Sequence, residues 1–213
     1  MQGHQNRQVK RGPYRGAAWR TTTGPRRRVV ATAVEIVMRI DLEPKARAFA
    51  VTLRPVVEAD AEFLFSLYAS TRADEMALVD WDAAQKDAFL RMQFTAQTAH
   101  YARFFPRAVH EVLLLDDRPI GRVYVDTNDE EIRLLDITLR PEHRNLGTGT
   151  ALMRDLMDQA ELERKPIRFY VWESNLAAQR WYRRLGCLVT DKRDIYIAME
   201  WHPPRISEGR ELT

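Results

Sequence analysis

The amino-acid sequence predicts a mixed α/β domain, and three patterns predict it. Apolar and β-branched runs of strand length at 109–115, 120–126 and 132–139 are separated by turn chemistry. Leu152, Met153, Leu156, Met157 and Ala160 repeat at three-and-four spacing, which puts one apolar stripe on a helix. Beyond that helix, 168–172 reads as a strand, 176–185 as a helix, and 189–191 with 196–201 as a closing pair.

Val51-Thr-Leu-Arg-Pro55 opens the domain as a short strand stopped by proline. Asp60 then precedes Phe63, Leu64, Leu67 and Tyr68, one face of a helix with an acid at its start. Residues 81–105 contain neither Gly nor Pro and carry Phe89, Leu90, Met92, Phe94 and Tyr101, so they form one long helix or two short ones. Asp116-Asp117-Arg118-Pro119 is a natural hairpin connection, and Asn128-Asp129 a second turn. Arg140-Pro141 ends the third strand of this meander, Lys165-Pro166 stops the helix after it, and Gly186 closes the last helix.

A chain of 213 residues that is 45% hydrophobic and 9% aromatic can bury one good core. The expected organisation is a basic extension over 1–50, a folded domain over 51–201 and a tail over 202–213. Apolar runs such as 112–115 fall far short of the roughly 20 residues that cross a bilayer, so no membrane partner is expected. The single cysteine, Cys187, rules out an internal disulfide and a cysteine-cluster metal site, which favours an intracellular, cytoplasmic protein. His4, His100, His110, His143 and His202 lack ligand spacing, so no metal is expected.

The net charge of +3 conceals an asymmetry. Residues 1–34 hold eight of the 33 Lys and Arg and no acid, leaving 25 basic against 30 acidic residues in the rest. That leader is compatible with a nucleic-acid arm, a targeting peptide, or an unstructured extension upstream of a true start at Met38. It lacks the apolar core of a secretory signal, and Gly12-Pro13 and Gly24-Pro25 break any amphipathic helix. Composition favours the extension. With only Tyr14 and Trp19 to stack on bases and a net acidic globule, nucleic acid is disfavoured as a partner.

One stretch carries chemistry. A strand that runs through a glycine turn into a helix aims several main-chain N–H groups and the positive end of the helix dipole at one point, which suits phosphate. Here the turn is Arg144-Asn145-Leu146-Gly147-Thr148-Gly149, followed by Thr150. Its spacing is neither the three-glycine dinucleotide fingerprint nor a Walker loop. Arg-x-x-Gly-x-Gly is short, and a plain strand-to-helix turn would account for it equally well.

The context adds specificity. Leu139-Arg140-Pro141 before the turn, together with Asn175-Leu-Ala-Ala-Gln-Arg-Trp-Tyr182-Arg-Arg-Leu-Gly186 after it, resembles the GNAT superfamily of N-acetyltransferases over about residues 51 to 201. The resemblance implies a central, mostly antiparallel sheet with splayed middle strands and helices on both faces. It implies acetyl-CoA as cosubstrate and no metal. Leu146, Gly147, Thr148, Gly149 and Thr150 would hold the pyrophosphate, with Arg144 and Asn145 beside it. The main chain of Ile137, Thr138 and Leu139 would meet the pantetheine arm, and Asn175 completes the set. Donors near Ile137 would stabilise the oxyanion of a tetrahedral intermediate.

Direct transfer to a primary amine needs a proton acceptor for the ammonium and a donor for the leaving thiolate. By position in the motif, Tyr182 is the acid, with a plain core residue as the alternative. Asp136 is the base or water-positioning group, unless strand alternation turns it to the far face. Two departures stand out: Asn145, where glycine is frequent, and Cys187, where phenylalanine is usual. Asparagine tolerates positive φ, and a small buried thiol suits a core. An inactive CoA-binding regulatory module is the alternative function. The acceptor, a small-molecule amine or a peptide, would meet residues 60–105, where Glu75, Asp80, Trp81, Gln93 and Tyr101 are candidates. Their acids suit a cationic amine or simply a solvated face. Dimers are common among the proteins it resembles, so a homodimer is one expectation and the oligomeric state stays open.

Overall fold

A computed structural model describes residues 38–39 and 50–204. The basic leader 1–37 and the tail beyond 204 lie outside the described residues. Within the segment expected as an extension, Met38 and Arg39 form a two-residue strand, β1, antiparallel to the domain's first strand.

The sheet has eight strands in the order β1-β2-β3-β4-β5-β6-β8-β7. They are β2 (Ala50–Pro55), β3 (Val109–Leu115), β4 (Arg118–Thr127), β5 (Ile132–Leu139), β6 (Ile167–Trp172), β7 (Leu188–Arg193) and β8 (Tyr196–Trp201). Among the described residues the α-helices are α1 (Ala61–Ser70), α2 (Ala73–Ala77), α3 (Ala83–Phe104), α4 (Thr148–Glu163) and α5 (Leu176–Arg184). Every neighbouring pair is antiparallel except β5 with β6.

Local chemistry accounts for the boundaries. The β3–β4 hairpin turns on Asp116 (φ 48°) and Asp117 (φ 62°), as a two-residue primed turn requires. Arg118 and Pro119, expected in the turn, therefore belong to β4, where Pro119 sits at a register irregularity that tolerates its missing N–H. Residues 83–104 form one helix. Asp82 caps it, accepting from Gln85 N at 2.8 Å while Gln85 Oε1 accepts from Asp82 N at 3.0 Å. The acid before α1 serves tertiary structure instead. Asp60 forms a bidentate pair with Arg54 at 2.7 Å, tying the end of β2 to the start of α1.

The buried side chains form separate clusters. Met153, Met157 and Ala160 of α4 pack with Tyr182 of α5 on Ile132, Leu134, Phe169, Val171 and Met199. The stripe read from residues 152–160 is thus the buried face of α4, and each large side chain there contributes about 1.5–3 kcal/mol. Phe65 and Tyr68 of α1 pack against Leu90 and Phe94 of α3 in a separate cluster.

The feature that creates a site is the parallel pair. β5 and β6 are in register only at Ile132↔Ile167 and Arg133↔Arg168, and then diverge. An ionic network that runs from a buried pair to the surface pins the closed end: Glu131 meets Arg133 at 2.5 Å and the half-exposed Arg168 at 2.9 Å, and Arg168 reaches Glu200 at 2.9 Å. The C-terminal halves of β5 and β6 are left without each other as ladder partners, giving an open V.

Candidate active site

The register of β4 and β5 decides which groups face that V. Arg140 N donates to Ile120 O at 2.8 Å, continuing a ladder in which Thr138 pairs with Arg122. Hydrogen-bonding direction alternates along a strand, so the main chains of Ile137 and Leu139 address the opposite side, into the V. A register irregularity at Tyr124/Val125 re-aims the strand next to it. Gly121 makes the close approach possible: a Cβ there would lie 2.6 Å from Thr138 O and 2.7 Å from Leu139 Cδ2.

At the open end of β5 the chain passes through Asn145 (φ 60°) and Gly147 (φ 92°) into α4. Asparagine takes the left-handed conformation the turn demands. The first helical bond is Ala151 N to Gly147 O at 3.0 Å, so the amides of Thr148, Gly149 and Thr150 have no acceptor among the described residues. They form a donor cluster at the positive end of a 16-residue helix. Gly149 faces Trp181 of α5, whose Nε1 donates to Thr150 Oγ1 at 3.1 Å, fixing the spacing of the two helices.

Arg144 adjoins the cluster, but two of its donors are engaged inside the protein. Nε bonds Leu139 O and Nη2 bonds Ser70 Oγ, each at 2.9 Å. Asn175 caps α5, its Oδ1 accepting from Ala178 N at 3.0 Å. It thereby sets the orientation of the helix that carries Tyr182.

Tyr182 is buried between Phe169 and Trp181, with ring centroids at 4.2 and 4.5 Å. Its hydroxyl makes no hydrogen bond among the described residues. Burial raises its pKa strongly, and the charges of Asp136 and then Cys187 add to this, so it stays protonated well beyond neutral pH. Asp136 acts across the sheet, since Tyr182 packs on one face from α5 and Asp136 points to the other. Asp136 lies on the α3 side, 2.6 Å from Arg122 Nη2, which also meets Gln97 at 3.1 Å. It accepts from Thr138 Oγ1 at 2.6 Å as well.

The acceptor candidates divide. Gln93 accepts from the Tyr68 hydroxyl at 3.1 Å, and Glu75 pairs with Arg72 at 3.1 Å. Trp81 packs edge-on against Phe89, the buried Tyr101 donates to Leu135 O at 3.1 Å, and Asp80 is exposed. Arg122, Arg72, Ser70, Trp172 and Tyr196 were not expected in the site. Their sequence neighbourhoods carry no motif, and only the folded chain brings them to the V. Among the described residues no three or more His, Cys, Asp or Glu are grouped to hold a metal, and no helix is long and apolar enough to cross a membrane.

A sheet opened between parallel strands above an unpartnered helix N-terminus is the architecture that the resemblance to GNAT acetyltransferases implies. Residues 71–187 match the model of the acetyltransferase (GNAT) family; this is over half the chain, and the chain belongs to that family. A search of curated proteins finds no match. Among solved structures, the PaiA N-acetyltransferase of Thermoplasma acidophilum in complex with coenzyme A has a TM-score of 0.56 at 16% identity, covering 71% of this chain and 98% of that one. The ribosomal-protein-S18-alanine N-acetyltransferase of Escherichia coli has 0.50 at 18%, covering 76% and 99%. The spermidine N-acetyltransferase of Vibrio cholerae with CoA and spermine has 0.50 at 17%, covering 71% and 95%. At these identities the likeness is one of fold.

Proposed function

We propose that the protein is an acetyl-CoA-dependent N-acetyltransferase that passes the acetyl group directly to a primary amine. The supporting observation is the V itself: β5 leaves the β6 ladder after Arg133, so the main chain of Ile137 and the amide of Leu139 lie without a β6 partner on the strand that leads to the unpartnered amides of Thr148, Gly149 and Thr150. The donor set fits a diphosphate and an amide-bearing arm. Acetyl-CoA would supply an electrophilic thioester, attacked by the amine through a tetrahedral intermediate.

Each residue then has a defined task. The Ile137 amide faces the carbonyl oxygen as negative charge develops on it, the stage at which a fixed donor is worth most. Tyr182 delivers its proton to the departing sulfur. Asp136 already accepts from Arg122 and Thr138, and a carboxylate retains lone pairs for one more donor. It therefore positions water, which carries the ammonium proton to solvent. A cytoplasmic location and a homodimer belong to the same reading.

Calorimetry with coenzyme A, followed by thiol release from acetyl-CoA with polyamines, amino acids, aminoglycosides and peptides, tests it. The expected result is binding, with acceptor-dependent release. No heat at millimolar coenzyme A overturns the proposal, and binding without release for any amine leaves the inactive regulatory module in its place.

A further inference from the structure

The C-terminal end of α1 spans the mouth of the V. On the β5 side Ser70 receives Arg144. Two residues on, the Arg72 guanidinium lies 4.0 Å above the ring of Trp172, the last residue of β6. Tyr68 flanks the same guanidinium at 5.5 Å. Trp172 in turn packs on Tyr196 with ring centroids 5.0 Å apart.

This guanidinium is poorly satisfied for one so enclosed. Its side chain is 12% exposed, and its ion-pair partner is Glu75, itself 49% exposed and bonded through Nη1. The buried Nε has no partner. Arg72 thus holds a buried Nε without an acceptor, on the edge from which an arginine takes a carboxylate side-on once a ligand reaches it. Tyr196 adds a second donor nearby. Its hydroxyl makes no hydrogen bond among the described residues, burial holds it neutral, and Arg72 is close enough to act on it electrostatically.

Resting on the reading of the V as an acetyl-transfer cleft, we propose that Arg72 determines acceptor specificity. Its Nε edge, held in the slot between Trp172 and Tyr68, receives a carboxylate carried by the amine acceptor. The substrate class is then small molecules bearing both a primary amine and a carboxylate, that is, amino acids. Polyamines are disfavoured, because they bring no carboxylate to the unpartnered Nε of Arg72. Of the two acidic candidates, Glu75 is paired with Arg72, and Asp80 is exposed.

The test compares thiol release for amino acids with release for their amides, their decarboxylated amines, a phosphate-bearing amine and spermidine. The expected preference for the acid over its amide is roughly ten- to a hundredfold in kcat/KM, carried by KM. In Arg72→Met, which keeps an apolar stack on Trp172, the acid-to-amide ratio should fall to about one, with Arg72→Lys between. Glu75→Gln, which frees Arg72 from its exposed partner, should lower KM for the acid. A wild type that prefers amides, spermidine or the phosphate-bearing amine overturns the proposal, as does an acid preference that survives Arg72→Met. If acetyl-CoA neither binds nor turns over, the function reading fails separately. The carboxylate slot is then decided by titrating an N-acetylated amino acid and its amide against wild type and Arg72→Met by tryptophan fluorescence. Equal binding of the two ligands, or binding indifferent to Arg72, overturns it.

Discussion

Arg144 joins Ser70 across 74 residues of sequence, its Nη2 2.9 Å from the Ser70 hydroxyl, while its Nε holds Leu139 O. The arginine of the glycine turn therefore braces the end of α1 against the end of β5. Ser70→Ala removes one hydrogen bond and should lower stability by about 1 kcal/mol, with affinity for coenzyme A unmoved. Arg144→Ala also strips the donor from Leu139 O and should cost about 2 kcal/mol, with weaker coenzyme A binding as the turn relaxes. Urea unfolding and calorimetry check both. An equal loss of coenzyme A affinity in the two variants would contradict the brace.

Tyr182→Phe should reduce kcat by about 10²- to 10⁴-fold, the usual scale of a lost proton donor, while KM for acetyl-CoA holds. Burial and the Asp136 charge keep the phenol protonated, so the deficit should be the same from pH 7 to pH 9. An unchanged kcat in Tyr182→Phe would remove Tyr182 from the acid role, and a wild-type advantage that fades across that range would show that the phenol ionises within it.

Two glycines in the site should behave oppositely on substitution by alanine. At Gly121 the added Cβ meets main-chain Thr138 O at 2.6 Å, and a carbonyl inside a ladder cannot swing aside. Overpacking there should cost about 3 kcal/mol, and more if β4 and β5 separate. At Gly149 the nearest atom is Trp181 Cζ2 at 3.4 Å, so a small ring adjustment accommodates the methyl. Melting temperatures of the two variants decide. Comparable losses would mean the β4–β5 contact is looser than described.

The elements were legible because their signals are local. The apolar run at 132–139 matches β5 to the residue, the 152–160 stripe is the buried face of α4, and Asn145 takes the positive φ its side chain tolerates. The point where the β5–β6 ladder stops was not legible, since alternation along a strand says nothing about how far a neighbour 35 residues away stays in register. The side of the sheet on which Asp136 lies was open for the same reason, and Arg122 resolves it through Gln97 of α3. Arg72 on Trp172 joins residues 100 positions apart, so composition near either one gives no warning.

His110 makes stability depend on pH in a direction its surroundings determine. Its ring stacks on Tyr124 with centroids 4.3 Å apart and planes 7° from parallel, and its Nε2 is buried without a partner. Burial first, and then the nearby Arg122 charge, lower its pKa to about 4, outweighing Asp136 and Asp60, which raise it. An unfolded histidine titrates near 6.5. Between those values the unfolded chain binds a proton that the folded chain refuses. Stability is therefore full above about pH 6.5 and declines as the pH falls toward 4. His100, also depressed by burial, acts in the same sense, while Glu111 and Asp126, raised by burial, act against it at the acid end. The His110 share is isolated by difference. Denaturation midpoints of wild type and His110→Gln, taken from pH 7.5 to 4.5, should converge as the pH falls, because only wild type carries this penalty. A constant gap between the two curves would show that His110 is not held neutral by its site.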